Sequence, residues 1–395
     1  MNVLFYYDNY CGNSSHGGTE VATFRIANAI KVSGNCRVFN AYLNNHPGKD
    51  DGLFDAVTLL QKKESRFVSD LSDFINKWEI DVIVNMGCFF RHKRLIKAIS
   101  QSGRNCKIIF MHHFAPGSEN RKVSYSAALH LLQLYRYHPI YWLRLFFYPL
   151  MKSPRKLSLP RAYRAVYKNS DAVVLLSSNY IEDFRKFAGI AETDKFHAIP
   201  NIYDAPEAVD VVPKEKRVVM LSRLAEVQKR LSLALRIWKK IEDRGDLNDW
   251  HLDIVGTGRD EKALMRLAKS LKLKNITFHG WKNGADFLKK SSILMMTSEY
   301  EGLSLSMIEA QTFGCVPVAF NSYSSLSDIV EDEVTGLAIS PHGDIDIFAK
   351  RLADLMLENK PLSEMAIKSR ENSSRFSSDT IASRWLSLLS KLRIS

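Results

Sequence analysis

The chain has 395 residues, of which 46% are hydrophobic and 25% are charged, so we expect a soluble globular protein with room for two domains. Its five cysteines are scattered without a Cys-x-x-Cys pair, which argues against a zinc site or a disulfide framework and favours a reducing compartment. Its 55 lysines and arginines exceed its 43 aspartates and glutamates by 12. The first residues, Met1–Tyr7, indicate a strand rather than a signal peptide, and no apolar run is long enough to span a membrane.

In the first half of the chain, short apolar runs alternate with segments of helical periodicity, which predicts a parallel sheet with helices on both faces. The runs are Val3–Tyr7, Val82–Asn85, Lys107–Met111 and Ala172–Leu176. Gly17 and Gly18 precede a helix predicted over Thr19–Ile30 and would let the backbone approach a ligand. His112 and His113 end a strand, where one imidazole could face a cleft or either could satisfy a loop hydrogen bond.

A basic and aromatic segment lies between Glu119 and Asp171, an interval without any acidic residue. Its cations are Arg121, Lys122, Arg136, Arg144, Lys152, Arg155, Lys156, Arg161, Arg164 and Lys168, interleaved with Tyr135, Tyr137, Tyr141, Trp142, Phe146, Phe147 and Tyr148. This composition predicts contact with an anionic membrane surface. An ordinary helix with solvated cations is the alternative, and nucleic acid is not expected because no helix-turn-helix, zinc-finger or RNA-binding signature is present.

The stretch Pro200–Pro213 contains three prolines and little apolar periodicity, which predicts a linker. We therefore divide the chain into a first domain (1–200), a linker (201–213), a second domain (214–376) and a C-terminal helix (377–395). The strands predicted in the second domain are Val218–Leu221, Leu252–Val255, Ile276–Phe278, Ile293–Met296 and Val316–Ala319. Apolar residues at helical spacing make the last segment an amphipathic helix, which we expect to pack back on the first domain.

Arg223 and Lys229 follow the strand Val218–Leu221, at the end of a parallel strand where α/β folds bind ligands. Two fixed cations there would stabilise a diphosphate leaving group, although a surface pair is the alternative. Gly256 and Gly258 predict a tight turn beside a ligand cleft. Glu261 stands where a dinucleotide fingerprint has its third glycine, so we exclude an NAD-dependent enzyme.

The stretch Ser298–Ala310 places Glu301 in a loop that contains glycine and Glu309 inside a predicted helix. The start of such a helix binds anions, because its first N–H groups are unpaired and its dipole is positive there. Eight residues of helix span roughly 12 Å, too far for the close carboxylate pair of a glycoside hydrolase but suitable for two hydroxyl-binding sites flanking a phosphate. The alternative is that Glu301 caps the helix and Glu309 is a surface residue.

Together these residues resemble retaining glycosyltransferase family four, which has the B-type fold of two Rossmann-like domains facing each other across a cleft. Glu301 and Glu309 reproduce the family's Glu-x7-Glu motif, and Arg223 with Lys229 resembles its Arg and Lys pair. Ile202 and Arg230 stand where glycine is usual, and we expect these departures to affect loop shape more than charge. The resemblance is weakest between Asn120 and Lys168.

The resemblance implies a metal-independent, retaining transfer of a sugar from a nucleotide-sugar to a glycan or lipid-linked saccharide, in cell-surface polysaccharide synthesis at the cytoplasmic face of the membrane. Glu309 would hold ribose hydroxyls and Glu301 hydroxyls of the transferred sugar. The remaining implied contacts place His112 near the sugar and assign the diphosphate to Gly17, Gly18, Gly302, Leu303, Ser304, Arg223 and Lys229. No cofactor is implied. A catalytically silent nucleotide-sugar-binding subunit, an epimerase and a phosphorylase remain as alternatives.

Overall fold

The computed structural model describes residues 1–12, 18–34, 36–44, 52–121, 125–135, 138–146, 155–205 and 213–394. The strands are β1 (Asn2–Tyr6), β2 (Arg37–Tyr42), β3 (Ala56–Leu59), β4 (Val82–Asn85), β5 (Lys107–His112), β6 (Ala172–Leu175), β7 (Phe196–Ala198), β8 (Glu215–Leu221), β9 (His251–Val255), β10 (Ile276–Phe278), β11 (Ser291–Met296), β12 (Val316–Phe320) and β13 (Leu337–Ile339).

The helices are α1 (Gly18–Gly34), α2 (Glu64–Lys77), α3 (His92–Ser102), α4 (Ser118–Arg121), α5 (Tyr125–Leu134), α6 (Pro139–Phe146), α7 (Arg155–Lys168), α8 (Asn179–Ala188), α9 (Glu226–Lys229), α10 (Leu231–Arg244), α11 (Glu261–Ser270), α12 (Gly284–Lys290), α13 (Leu305–Thr312), α14 (Leu326–Ile329), α15 (Ile345–Leu357), α16 (Asn359–Ser373) and α17 (Ser378–Ile394). Two short 3₁₀ turns cover Phe89–Arg91 and Ser374–Phe376. None of the helices in the described ranges is long and apolar enough to cross a membrane.

The chain folds as two compact α/β units, and unit 1 comprises Met1–Pro116, Arg155–Asp204 and Phe376–Ser395. Its seven strands are all parallel, in the order β3-β2-β1-β4-β5-β6-β7. Strand β1, in the interior of the sheet, is buried from Val3 to Tyr6, as expected of a parallel sheet covered on both faces. Helix α17 packs against α1 and buries Trp385, so the prediction that the C-terminal helix returns to the first domain is confirmed.

Unit 2 comprises Gly117–Pro154 and Ala205–Arg375, and its six parallel strands follow the order β10-β9-β8-β11-β12-β13. The strand order reverses between β8 and β11, which are neighbours in the sheet although two other strands separate them in sequence. Helix α10 buries Trp238 and Ile241 and helix α15 buries Phe348 and Leu352 in the same core. The two parallel α/β sheets confirm the predicted fold class.

Residues 117–154 belong to unit 2, although the sequence assigned the whole of residues 1–200 to the first domain. Helix α5 buries Ala127 and Leu131 against Val227, which lies on α9. Just beyond α5, the hydroxyl of Tyr135 donates a 2.6 Å hydrogen bond to the Asp260 carboxylate. A division into continuous segments misses this arrangement, because the apolar face of α5 finds its partner about 100 residues further along the chain.

Candidate functional site

The carboxyl ends of β8 and β11 define the candidate site in unit 2. In open parallel sheets, ligands bind beyond the carboxyl ends of the strands at the point where the strand order reverses. The loop after β8 carries Arg223 and leads into α9, which ends at Lys229. The loop after β11 carries Glu301 and leads into α13, which contains Glu309. The four residues selected from the sequence therefore lie on the two loops and helices that flank this point.

Two glycines allow the Arg223 loop to lie directly against the loop after β9. A Cβ atom on Gly256 would lie 2.0 Å from the carbonyl oxygen of Ser222, and one on Gly258 would lie 2.3 Å from that of Leu224. The amide of Leu224 donates a 2.9 Å hydrogen bond to the carbonyl of Thr257. These glycines therefore form a tight turn, and the space left by their missing side chains is filled by the backbone of the loop after β8. The side chain of Arg223 is exposed, and its Nη2 donates to Gln228 Oε1 at 3.2 Å.

Lys229 and Glu301 form a partly buried ion pair. The Lys229 ammonium donates to Glu301 Oε1 at 2.6 Å, and the two side chains are only 15% and 10% exposed. Gln228 Nε2 lies 3.4 Å from both Glu301 Oε2 and the carbonyl oxygen of Tyr300. The pair fixes one carboxylate and one cation side by side, so a ligand with both hydroxyl and phosphate groups could engage both residues.

The loop that leads into α13 supplies backbone donors. Ser304 directly precedes the helix, and the amides of Leu303 and Ser304 donate to no acceptor within the described part of the chain. The neighbouring carbonyl of Gly302 accepts a 2.6 Å hydrogen bond from the buried hydroxyl of Ser325. This hydroxyl fixes the loop from behind, and nothing in the local sequence pattern identified it. The half-buried Glu309 lies on α13, as predicted.

The site residues predicted in unit 1 differ in their surroundings. Gly18 begins α1, and a Cβ atom there would meet no heavy atom within 4 Å; Gly17 lies outside the described residues. His112 ends β5 but is only 2% exposed, and its Nε2 lies 3.0 Å from the hydroxyl of Tyr163 among aromatic rings. A role of His112 at the sugar stays a prediction.

His113 follows His112 directly, and it differs from His112 in one respect. Its Nε2 is buried and has no hydrogen-bond partner among the described residues. Burial lowers the pKa of His113 to about 3, so its imidazole is neutral near pH 7. A neutral imidazole can donate one hydrogen bond and accept another, and the unpartnered nitrogen found on His113 has no counterpart at Nε2 of His112, which lies 3.0 Å from the hydroxyl of Tyr163.

Residues 204–372 match the family model described as glycosyl transferases group 1. The poly(glycerol-phosphate) alpha-glucosyltransferase of Bacillus subtilis (strain 168) is 30% identical over 231 residues, which cover 56% of this chain and 33% of that protein. The poly(ribitol-phosphate) alpha-N-acetylglucosaminyltransferase of Staphylococcus aureus (strain COL) is 26% identical over 223 residues, covering 56% and 44%. The chain thus spans between a third and a half of these relatives.

Solved structures share the fold over the full length of the chain. The lipopolysaccharide outer core galactosyltransferase WaaB, in its apo form, superposes with a TM-score of 0.71 and 16% identity, covering 99% of this chain and 100% of that chain. Anabaena Alr3699/HepE in complex with UDP superposes with a TM-score of 0.74, at the same identity and coverage. The fold of the whole chain is therefore the one found in these proteins.

Proposed function

We propose that this protein is a retaining glycosyltransferase of family four that moves a sugar from a nucleotide-sugar to a glycan or lipid-linked saccharide. The observation that carries the proposal is the ion pair of Lys229 and Glu301 at the reversal point of the unit 2 sheet. The relatives of this chain include enzymes named for glucosyl and N-acetylglucosaminyl transfer to polyol-phosphate polymers, and one named for amylovoran biosynthesis. These names support a role in cell-surface polysaccharide synthesis.

The candidate site in unit 2 suits a nucleotide-sugar because it offers hydrogen-bond acceptors for sugar hydroxyls and hydrogen-bond donors for phosphates. The carboxylate of Glu309 can accept hydrogen bonds from ribose hydroxyls, and that of Glu301 from hydroxyls of the transferred sugar. The amides of Leu303 and Ser304 at the start of α13 can donate to the diphosphate between them. In this arrangement the chain offers acceptors to the two sugars and donors to the phosphates.

The leaving group gains negative charge as the glycosidic bond breaks. Lys229 and Arg223 supply positive charge on that side, and the exposed Arg223 is free to turn toward a phosphate after giving up one contact with Gln228. A preorganised donor at a developing anion typically contributes ~10²–10³ in rate. We propose that these two cations and the helix amides stabilise the diphosphate without a divalent metal ion.

A panel of nucleotide-sugars tests the proposal directly. Each donor is incubated with the protein, and release of the nucleoside diphosphate is measured together with the shift in melting temperature, because a ligand that binds the folded state raises stability. We expect at least one donor to be turned over, with retention at the anomeric carbon of the product. Binding without turnover of any donor would favour a silent subunit, and phosphate-dependent turnover would favour a phosphorylase.

We further propose that the protein works at the cytoplasmic face of an anionic membrane, through the exposed face of α6. Ile140, Trp142, Leu143 and Phe146 of this short helix are 58%, 54%, 55% and 77% exposed. Apolar and aromatic side chains with this exposure suit the headgroup boundary of a bilayer, and the acid-free sequence around them supplies the charge complementarity. At the membrane surface the protein would meet a lipid-linked acceptor.

Part of the predicted basic segment has a different role in the structure. Arg164 donates two hydrogen bonds, of 3.0 and 2.8 Å, to the carbonyl of Ala188 at the end of α8. It therefore caps a helix in unit 1 and should be left intact in any charge variant. The side chains of Arg155 and Lys156 lie outside the described residues.

Vesicle sedimentation tests the membrane proposal. The variant Trp142→Ser/Phe146→Ser should release the protein from anionic vesicles, while Trp281→Ser, at a tryptophan that is 72% exposed elsewhere in unit 2, should not. Binding should also weaken with salt, because each cation near an anionic surface contributes about 1 kcal/mol that ions screen. Equal binding to neutral and anionic vesicles, or release by Trp281→Ser alone, would contradict the proposal.

A further inference from the structure

We propose that Arg230 is a positioning residue of the donor site, whose buried guanidinium fixes the loop that carries Glu301. The inference rests on the proposed function, because it concerns the site to which that function assigns the donor. Arg230 directly follows Lys229 and occupies a position where the family that the sequence resembles usually has glycine. The expectation that this departure affects loop shape more than charge stays a prediction, and the structure adds that the side chain lies between two carboxylates.

The backbone of Arg230 has φ of 49° and ψ of 41°, between the end of α9 and the start of α10. This left-handed conformation costs a residue with a side chain roughly 1–2 kcal/mol, and glycine would adopt it freely. The side chain of Arg230 is nevertheless only 7% exposed. The backbone alone gives no reason for arginine here, so the reason lies in the contacts of the guanidinium.

The guanidinium joins the fully buried carboxylate of Glu226 to that of Glu299, whose side chain is 23% exposed. Its Nη1 donates to Glu299 Oε2 at 2.9 Å, and its Nε lies 3.7 Å from Glu226 Oε1. Glu226 is completely buried and also accepts from the amide and the hydroxyl of Ser232. Glu299 has a second partner in His342, whose Nε2 lies 2.9 Å from the same Oε2. Removing the arginine would therefore leave two carboxylates in a poorly solvated site without their shared cation.

Glu299 lies two residues before Glu301, so the contact that holds Glu299 also restricts the loop that carries Glu301. Its amide donates to the carbonyl of Gln228 at 2.7 Å. The hydroxyl of Thr297 donates at 3.0 Å to the carbonyls of both Lys229 and Arg230. The loop after β11 is thus connected to the end of α9 through Thr297, Glu299 and Glu301. The last of these contacts is the ion pair with Lys229, to which the proposed function assigns the donor.

The variant Arg230→Gly isolates the role of the guanidinium, because glycine accepts the left-handed backbone and removes only the side chain. We expect kcat/KM for the donor to fall by ~10–100-fold, mostly in kcat, since a displacement of about 1 Å at a reacting group can cost 10²-fold. Lys272→Gly is the matched control. Lys272 also has a positive φ, of 56°, but is exposed and has no ion pair among the described residues, so its kinetics should stay at the wild-type level.

Two readouts separate positioning from general stability. Guanidinium chloride at low millimolar concentration should restore part of the turnover of Arg230→Gly, while sodium chloride at the same ionic strength should not. The double variant Arg230→Gly/Glu299→Gln should be no slower than Arg230→Gly alone, because residues that act through one contact are not additive. Melting temperature reports separately on folding.

The outcomes distinguish this inference from the proposed function. If the wild-type protein turns over no nucleotide-sugar, the proposed function fails, and the inference fails with it. If the wild type is active and Arg230→Gly retains wild-type kcat/KM, the proposed function stands and the positioning role is refuted. A loss of turnover that guanidinium does not restore and that adds to the effect of Glu299→Gln would likewise refute it.

Discussion

If the proposed function is correct, the ion pair of Lys229 and Glu301 serves both the stability of unit 2 and catalysis, and one substitution tests both. Lys229→Ala removes the ammonium that lies 2.6 Å from a carboxylate with a 10% exposed side chain. A hydrogen bond to a charged group is worth about 1.5–3 kcal/mol, so we expect the free energy of unfolding to fall by that amount. Domains of this size lose about 2–4 °C of Tm per kcal/mol, which predicts a shift of roughly 3–12 °C.

Adding Glu301→Gln to Lys229→Ala should restore most of the lost stability, because the amide leaves no buried charge without a partner. Turnover should not recover. Lys229→Ala alone should lower turnover by ~10²–10³, and the double variant should stay at least as slow, since both proposed contacts to the donor are then missing. The second substitution would thus restore stability but not activity.

Arg223→Ala should lower turnover by a similar factor of ~10²–10³ and leave Tm unchanged, because this side chain is exposed and its described contact is one hydrogen bond to Gln228. Lys290→Ala, at an exposed lysine of α12, is the control that should change neither quantity. The assays are donor turnover and calorimetric melting. Wild-type turnover in Lys229→Ala, or a stability loss that Glu301→Gln deepens, would refute the reasoning.

Three further predictions concern the donor, the metal and pH. Glu309→Gln should weaken donor binding by roughly 10–150-fold, measured by calorimetry, because a charged acceptor of ribose hydroxyls is worth about 1.5–3 kcal/mol. Turnover should survive a strong chelator, and loss in EDTA that magnesium or manganese restores would contradict the proposed role of the cations. Burial raises the pKa of Glu226 from 4.5 to about 7, so its contribution to stability is complete below pH 4.5 and lost as pH rises through 7. In the wild type, the free energy of unfolding should therefore decline by about 3 kcal/mol between pH 4.5 and 8 on account of Glu226, and Glu226→Gln should abolish this part of the decline. The measurement is denaturant unfolding across this pH range, and an unchanged pH dependence in the variant would show that Glu226 does not titrate there.

Much of the candidate site could be predicted because its residues are marked by local signals. Apolar runs of strand length identified β8 and β11, and polar residues directly after them were expected at the carboxyl ends of parallel strands. Glu301 in a loop and Glu309 on a helix follow from the break and return of apolar periodicity around Gly302. These signals reach only a few residues, so they place side chains on elements but do not show what each one contacts.

Residues with no marked local pattern were missed. Ser325 holds the carbonyl of Gly302 across 23 residues of sequence, and a single serine in a polar loop carries no signal of that kind. The choice between His112 and His113 likewise depends on which ring packs among the aromatic side chains around Phe110 and Tyr163. His112 is the last residue of β5 and His113 the first residue beyond it, so the sequence identified the pair but only packing separated its members.

The sequence by itself determined two parallel α/β sheets, the amphipathic C-terminal helix and the elements that carry the candidate site, because periodicity and turn residues act over short distances. Only the tertiary structure decided that Lys229 meets Glu301, 72 residues away, that Arg230 is buried between two carboxylates, and that α5 packs in unit 2. Each of these depends on the order of strands in a sheet or on a partner far along the chain. Such contacts form only when the whole unit closes, and no local pattern of residues specifies them in advance.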